Sequence, residues 1–268
     1  MPFTIVNGVN HFFQEHGAGG EIVWFTHGIL FSSDMFAPQY QALRADYRCI
    51  GMDWRGQGRT DTPLGGYDVD NLANDALALM DRLGIDRVHW VGLSIGGVVG
   101  VRLAAEHPER IASLSLIGAA ADDEPRDKLA RYEQLFEIME KQGLAAAAAT
   151  VLPILFGPDF LSDPAREPLR EDWIQRICSN DGARMRRAAA PILRRRDIRY
   201  MLPFVRCPTL VCTGEYDKAN GPDRARILAE GIEGARLTII PRAGHTATLE
   251  EPKATSEALR AFLGSVNL

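Results

Sequence analysis

The chain of 268 residues has no long apolar run. A helix that crosses a bilayer needs about 20 consecutive, mostly apolar residues, and no segment approaches that length. The opening segment, MPFTIVNGVNHFFQEHG, lacks the basic stretch followed by an apolar stretch that marks a secretory signal. We therefore expect neither a membrane partner nor export, and the cytoplasm is the expected location.

Positive charge and cysteine are also scarce. Lys and Arg number 30 against 35 Asp and Glu, which gives a formal net charge of −5. This balance argues against a polyanion-binding protein, so nucleic acid is not an expected partner. The four cysteines show no CxxC spacing, and we interpret them as buried reduced thiols. No metal-binding cluster, Walker loop or dinucleotide fingerprint occurs, so neither a metal nor a cofactor is expected. The oligomeric state stays open, a homo-oligomer included.

Short β-branched segments alternate with amphipathic helical ones along most of the chain. This alternation is typical of a mostly parallel sheet with helices on both faces. An antiparallel lead-in hairpin is predicted at 3–6 and 11–15, and further strands at 22–26, 47–52, 87–91, 111–117, 208–213 and 235–240. Helices are predicted at about 68–83, 95–106 and 252–263.

The alternation stops after Ile117. Residues 121–205 carry helical patterns and several prolines but no strand pattern. Such an excursion is too long for a simple crossover between two strands. We therefore predict an α/β core made of residues 1–120 and 206–268, with a helical cap at 121–205 over one end of the sheet.

A G-x-S-x-G motif spans Gly92 to Gly96, between an apolar strand pattern and a helical pattern. Small residues at this place permit a sharp strand-to-helix turn that lifts a serine hydroxyl above the sheet edge. The N-terminus of the following helix favours developing negative charge. The motif alone is a weak signal, but in this context it predicts that Ser94 is a nucleophile rather than a helix cap.

A serine nucleophile needs a base, and the base needs an orienting acid. In proteins with this turn, the acid follows the serine along the chain and the histidine comes last. Only His245 of the six histidines lies downstream of the cap; His89 is expected to be packed in a strand, and His107 to be solvated. The segment TGEYDKAN offers the acid. Asp217 is favoured because it lies further out on the loop, with Glu215 as the alternative.

The oxyanion formed when a serine attacks a carbonyl needs two N–H donors. One is expected from the residue after the nucleophile, Ile95, and the other from the loop after the third strand, FTHGILFSSD. His27 and Gly28 permit a tight turn that aims the N–H of Ile29 inward. Leu30 is the alternative if the register differs by one residue.

Together these segments resemble the α/β-hydrolase superfamily, over residues from about 3 to 264. The motifs that carry the resemblance are HG at 27–28, DWRGQG at 53–58, GLSIGG at 92–97, TGEYD at 213–217 and AGH at 243–245. More narrowly, they are similar to small capped esterases and lactonases, which include the 3-oxoadipate enol-lactonases. The resemblance implies an α/β-hydrolase fold, a triad of Ser94, Asp217 and His245, oxyanion donors at Ile29 and Ile95, and a DWRGQG loop in which Asp53 and Arg55 brace the strand end.

The resemblance also implies the hydrolysis of a carboxylic ester or lactone of a small organic molecule, through an acyl-enzyme on Ser94. The same fold supports other functions. The alternatives are therefore carbon–carbon bond hydrolysis, perhydrolysis, cofactor-free dioxygenation and a ligand receptor with little turnover. The residues TAT after His245 lack the aromatic side chain of many carbon–carbon hydrolases, which disfavours the first of these.

Two groups of residues bear on the substrate. Leu30, Met35 and Trp173 are candidate lining residues of an acyl pocket, although such apolar residues are more often plain core. Residues 184–199 hold seven arginines against one acid, Asp197. A solvated helical face, paired with acids elsewhere, is the simpler interpretation of this run. The alternative hypothesis is that one or two of these arginines bind a substrate carboxylate at the pocket mouth.

Overall fold

The computed structural model describes residues 2–266 and places eight strands in one sheet. The strands are β1 (Phe3–Val6), β2 (Val9–His16), β3 (Ile22–Thr26), β4 (Arg48–Met52), β5 (Val88–Leu93), β6 (Ile111–Ile117), β7 (Thr209–Gly214) and β8 (Arg236–Ile240). Their order across the sheet is β1-β2-β4-β3-β5-β6-β7-β8. The pairs β1–β2 and β2–β4 are antiparallel, and all others are parallel. The predicted lead-in hairpin and mostly parallel sheet are confirmed.

Eleven α-helices are present among the described residues. They are α1 (Ala37–Leu43), α2 (Val69–Arg82), α3 (Ile95–Glu106), α4 (Arg126–Gln142), α5 (Leu144–Leu155), α6 (Pro158–Ser162), α7 (Glu167–Cys178), α8 (Gly182–Leu193), α9 (Pro222–Gly231), α10 (Ala247–Glu250) and α11 (Pro252–Leu263). No helix within residues 2–266 is long and apolar enough to cross a membrane.

Helix α2 shows how local sequence sets an element. The Asp68 side chain accepts a hydrogen bond from the Asn71 N–H and caps the helix start. Leu72, Ala76 and Leu79 recur at helical spacing and are fully buried. Burial of this stripe against the sheet stabilises the helix more than its intrinsic propensity does.

Two apolar clusters share the core, and β3 contributes to both. Trp24 belongs to one cluster, while its neighbours Val23 and Phe25 belong to the other. This alternation follows from the two-residue period of a strand whose faces are both covered. The second cluster continues into Phe156 and Phe160 of the helical segment, so the cap and core share apolar packing.

Helices α4–α8 fill the segment between β6 and β7. The two ends of this segment meet where the Ile198 N–H donates to the Ala121 carbonyl at 2.8 Å. We keep residues 121–205 as a proposed cap unit, with residues 1–120 and 206–268 as the proposed core.

Candidate active site

Ser94 lies in the turn between β5 and α3, with φ 55° and ψ −115°. This left-handed backbone is strained for a residue with a side chain, and the Ser94 N–H donates to the Ile117 carbonyl at 2.8 Å. A Cβ at Gly92 would clash with the backbone of Gly96, and one at Gly96 would clash with the backbone of Thr26. Close backbone approach therefore requires both motif glycines.

His245 and Asp217 form a buried hydrogen-bonded pair. His245 Nδ1 lies 2.9 Å from Asp217 Oδ2, and the two side chains are 6% and 0% exposed. The other oxygen of Asp217 accepts the N–H groups of Ala219 and Asn220, each at 2.8 Å. Glu215 instead accepts the Arg242 N–H at 3.0 Å. The structure thus places Asp217, and not Glu215, against the imidazole.

The pair also depends on Gly118, directly after β6, which the sequence reasoning missed. Gly118 has φ +51°, and a Cβ there would lie 3.0 Å from His245 Nδ1 and 3.1 Å from Asp217 Oδ2. The Gly118 carbonyl accepts a hydrogen bond from Asn220 Nδ2 at 2.8 Å. A glycine at the carboxyl end of a buried strand was the available signal, because such a residue permits close approach.

The loop after β3 lies beside the Ser94 turn, since a Cβ at Gly28 would lie 3.3 Å from the Ser94 Cβ. The Leu30 N–H donates to Gln57 Oε1 at 3.0 Å, and Leu30 has φ 74°. The Ile29 N–H has no acceptor within residues 2–266. Ile95 begins α3, where the first N–H groups of a helix lack intrahelical partners. Within residues 2–266, the Ile29 and Ile95 N–H groups thus have no acceptor, and their role as oxyanion donors stays a prediction.

One cavity brings these groups together. It is lined by Ser94, His245, Ile29, Ile95 and Leu30. Its cap-side walls are apolar and include Leu135, Phe136, Val151, Leu155, Met185 and Ile192. Its polar end is formed by Glu124, Lys128, Tyr132, Arg195 and Asn220. Such a cavity suits a small organic molecule with an apolar body and a polar end.

Met35 and Trp173 do not line this cavity, in contrast to the sequence expectation for them. Both are buried in the apolar cluster that joins the cap to the core. The Trp173 ring lies 5.7 Å from the Phe31 ring, centroid to centroid, and 5.3 Å from the Arg176 guanidinium carbon. Cap–core packing takes up their apolar surface, so they act as core residues. Leu30 does line the cavity.

The DWRGQG loop braces the end of β4. Asp53 accepts the N–H groups of Ser33 at 2.7 Å and Arg59 at 2.9 Å. Arg55 donates two hydrogen bonds of 2.6 Å to Asp75 in α2. A bidentate, buried pair of this kind fixes geometry, which fits the structural role that the resemblance implies.

Three of the upstream histidines, His27, His89 and His107, do not line the cavity that contains Ser94 and His245. His27 Nε2 accepts the Trp54 N–H at 3.0 Å, and burial lowers the pKa of His27. His89 is packed in β5 and hydrogen-bonds Ser113 Oγ at 2.9 Å. His107 is 43% exposed. These placements match the expected packing of His89 and solvation of His107.

Most arginines of the 184–199 run are paired away from the cavity. Arg184 donates to three carbonyls of the DWRGQG region, those of Gly56, Gly58 and Thr60. Arg186 and Arg194 both pair with Glu133, and Arg199 pairs with Asp197. Ion pairs therefore account for Arg186, Arg194 and Arg199, and main-chain carbonyls for Arg184.

Arg195 is the arginine of this run that lines the cavity. Its side chain is 7% exposed and lies 3.5 Å from Glu124. Its Nη2 donates to the carbonyls of Ala120 and Asp122, while its buried Nε has no partner within residues 2–266. Burial lowers the pKa of Arg195, because the charged form loses water. Glu124 also pairs with Lys128, at 2.8 Å.

Comparison with known sequences identifies the family. A sequence model described as the alpha/beta hydrolase fold matches residues 21–252. The chain belongs to the α/β-hydrolase family. A protein of Caulobacter sp. (strain K31), named "Putative carbamate hydrolase RutD", is 31% identical to this α/β hydrolase, and the alignment covers 98% of each chain.

Two solved structures superpose closely on this α/β hydrolase. The enol-lactonase from Burkholderia xenovorans LB400 is 30% identical, with a TM-score of 0.90 over 98% of this chain and 100% of that one. A thermophilic esterase from Thermogutta terrifontis is 26% identical, with a TM-score of 0.90 over 100% and 98%. The predicted fold and the resemblance to esterases and enol-lactonases are confirmed, and hydrolysis is the activity that these relatives support.

Proposed function

We propose that this α/β hydrolase cleaves a carboxylic ester or lactone of a small organic molecule through an acyl-enzyme on Ser94. The observation that carries the proposal is the 2.9 Å hydrogen bond between His245 Nδ1 and Asp217 Oδ2, in a cavity that His245 shares with Ser94. A serine, a histidine and an acid in these relations perform acyl transfer on several unrelated folds. The esterase and enol-lactonase relatives support the same chemistry.

In the proposed reaction, Ser94 Oγ attacks the substrate carbonyl carbon while His245 Nε2 takes the hydroxyl proton. Asp217 holds the proton on Nδ1, so that Nε2 presents its lone pair, and it stabilises the imidazolium. The tetrahedral intermediate collapses as His245 returns the proton to the leaving alkoxide oxygen. Water then attacks the acyl-enzyme, His245 takes one of its protons and returns it to Ser94 Oγ, and the acid is released.

The oxyanion of each tetrahedral intermediate is held by main-chain donors. The N–H groups of Ile29 and Ile95 are proposed for this role, because Gln57 already occupies the neighbouring Leu30 N–H. Main-chain donation explains why apolar side chains suffice at these positions. Loss of one such donor typically lowers the rate by about 10²–10³-fold.

The substrate's apolar part is proposed to lie against the cap walls, among Leu135, Phe136 and Val151. Its polar end then meets Arg195, whose buried Nε lacks an acceptor among the described residues. A substrate carboxylate would complete this set of hydrogen bonds with a charge-assisted one. A carboxylated ester or lactone is therefore the proposed preference.

The first test is hydrolysis of short and medium p-nitrophenyl esters, an enol lactone and an aryl carbamate by the wild type and Ser94→Ala. We expect ester or lactone turnover that disappears in the folded variant. The carbamate is included because of the Caulobacter relative's name, and a carbamate preference would change the substrate class while keeping the serine. A Ser94→Ala protein that retains most of the rate would refute the mechanism.

The alternative chemistries have distinct signatures in the same assay. Oxygen consumption without ester turnover would indicate a dioxygenase, and peroxide-dependent acid turnover a perhydrolase. Tight ligand binding with almost no turnover would indicate a receptor. Turnover confined to substrates that are cleaved at a carbon–carbon bond would indicate a carbon–carbon bond hydrolase.

A further inference from the structure

The Glu250 carboxylate lies beneath the His245 loop, and none of the steps above uses it. The residue is 1% exposed. Its Oε1 accepts the Thr246 N–H at 3.1 Å and the Thr246 hydroxyl at 2.9 Å, and its Oε2 accepts the Gly244 N–H at 2.9 Å. Gly244 and Thr246 flank His245 in the chain, so one carboxylate holds the peptide N–H groups on both sides of the imidazole.

The same carboxylate reaches the cap. Oε2 also accepts the Gly157 N–H at 2.7 Å, in the turn between α5 and α6. The two glycines pack backbone to backbone, because a Cβ at Gly157 would lie 2.9 Å from the Gly244 nitrogen. Thr246 adds a second link, since its N–H lies 3.2 Å from the Leu155 carbonyl. Glu250 is therefore the centre of a junction between the His245 loop and the cap.

A buried carboxylate is costly unless it is well hydrogen-bonded. Burial accordingly raises the pKa of Glu250, while its hydrogen bonds oppose that rise. All four partners are N–H or O–H donors, and a carboxylate, with lone pairs on both oxygens, accepts from all of them at once. The need for four acceptor sites explains a carboxylate here, whereas simple packing would favour an apolar side chain.

We propose that Glu250 is a positioning residue that fixes the His245 ring between Asp217 and Ser94 and joins its loop to the cap. The inference rests on the proposed function, because that function makes His245 the general base. Loss of the carboxylate removes the acceptor of the Gly244 N–H and leaves the Thr246 N–H only the Leu155 carbonyl at 3.2 Å, so the imidazole loses its fixed orientation. A misplacement of about 1 Å in a catalytic group can lower the rate about 10²-fold.

The test compares Glu250→Ala and Glu250→Gln with Glu251→Gln as the matched control. The control substitution removes an equal charge at the next position, but the Glu251 side chain contacts Arg166 and Arg242 instead of the His245 loop. In Glu250→Gln, the amide oxygen can still accept from Gly157 and Gly244. The amide nitrogen can donate to the Thr246 hydroxyl, which then donates to the Leu155 carbonyl at 3.2 Å. The Thr246 N–H cannot donate to the amide nitrogen, but it keeps the same Leu155 carbonyl at 3.2 Å.

Activity gives the first readout. On the ester that the wild type prefers, Glu250→Ala should lower kcat by about 10- to 100-fold. KM should change by less than about 2-fold, because neither Glu250 nor its partners Gly157, Gly244 and Thr246 line the cavity. Glu250→Gln should restore most of kcat, and Glu251→Gln should match the wild type. A kcat normalised to folded protein that is unchanged in Glu250→Ala would overturn the inference.

A spectroscopic readout separates this inference from the proposed function. The His245 Nδ1 proton, hydrogen-bonded to Asp217, should give a downfield proton resonance that disappears in His245→Asn. We expect the resonance to shift or broaden in Glu250→Ala but not in Glu250→Gln or Glu251→Gln. That result supports the positioning role even if the wild type hydrolyses no ester. An unchanged resonance in Glu250→Ala overturns it, whatever the esterase result.

If Glu250→Ala does not fold, Glu250→Gln with Thr246→Val carries the test. The added substitution removes the hydroxyl on which the glutamine depends, at nearly constant volume. The double variant should lose the kcat and the resonance that Glu250→Gln retains. A double variant equal to Glu250→Gln in both readouts would overturn the inference.

Discussion

Gln57 Oε1 accepts the Leu30 N–H at 3.0 Å, and this hydrogen bond distinguishes the Leu30 N–H from that of its neighbour Ile29. The Leu30 N–H is occupied, while the Ile29 N–H has no acceptor among the described residues, and Ile29 lines the cavity that contains Ser94. Leu30 adopts φ 74°, a conformation that is strained for a leucine. We infer that Gln57, in the DWRGQG loop, helps to hold Leu30 in this conformation, and with it the loop proposed to supply an oxyanion donor.

Replacing Gln57 by alanine should relax this loop. We expect kcat/KM for a p-nitrophenyl ester to fall by about 10-fold, less than the loss of a direct oxyanion donor. Gln41→Ala, at an exposed position of α1, is the matched control and should leave kcat/KM unchanged. Equal activities of the two variants would show that Ile29 needs no support from Gln57.

The two acids of the TGEYD segment should differ in their effect on activity. Asp217→Asn should lower kcat by about 10⁴-fold, because the amide favours the wrong tautomer of His245. Glu215→Gln should stay near the wild-type rate, since its side chain contacts the Arg242 N–H rather than the imidazole. Steady-state kinetics of both proteins, with circular dichroism to verify folding, decides between them. A larger loss in Glu215→Gln would reverse the assignment of the acid.

Arg195 should matter for charged substrates only. With a matched pair of esters, one neutral and one carboxylated, Arg195→Gln should lower kcat/KM for the carboxylated ester by about 10-fold or more, as expected for loss of a charged hydrogen bond. The neutral ester should be nearly unaffected. Arg196→Gln, at an exposed position next in the chain, is the control. Equal wild-type kcat/KM for the two esters would refute carboxylate recognition.

Asp75 should make the stability of the protein depend on acid pH. Burial raises the pKa of Asp75, but hydrogen bonds from His11, Arg55 and Asn7 outweigh it and hold the pKa below 3.8. Because the folded-state pKa is depressed, the carboxylate contributes stability above its unfolded pKa. That contribution is lost as the pH falls through the lower folded value.

Asp75→Asn should therefore lower the free energy of unfolding by about 3 kcal/mol at pH 7, since it leaves Arg55 buried without its charge partner. The difference from wild type should shrink at pH 3. Urea unfolding at the two pH values measures it. Asp70→Asn, which removes an exposed acid from the same helix, should change stability by less than about 0.5 kcal/mol. A difference that is constant with pH would contradict the linkage.

The sequence predicts the fold and the positions of Ser94, Asp217 and His245 because these depend on local patterns. Strand periodicity, the glycines around Ser94 and the position of His245 after the last strand each depend on a few neighbouring residues. Met35 and Trp173 illustrate the opposite case. Their contacts depend on how α7 packs against the core, and composition does not distinguish a pocket wall from packed core.

Gly118, Asn220 and Glu250 needed the structure for the same reason. Gly118 and Asn220 contact the His245–Asp217 pair, and Glu250 contacts the loop that carries His245. These contacts form only when the chain folds. Gly118 carried the signal of a glycine at a strand end, and Glu250 that of an acid five residues after His245. The Glu250 partner Gly157 is 93 residues away, and no spacing rule links the two.

The hydrogen bond between Ile198 and Ala121 has a consequence for the divergence of such enzymes. Because the excursion leaves and rejoins the sheet at neighbouring points, its interior can lengthen, shorten or be exchanged without a change in strand order. Segments whose ends are close tolerate insertion in this way. The residues of α4, α5 and α8 that line the cavity can thus change in evolution independently of the sheet edge that carries Ser94 and His245.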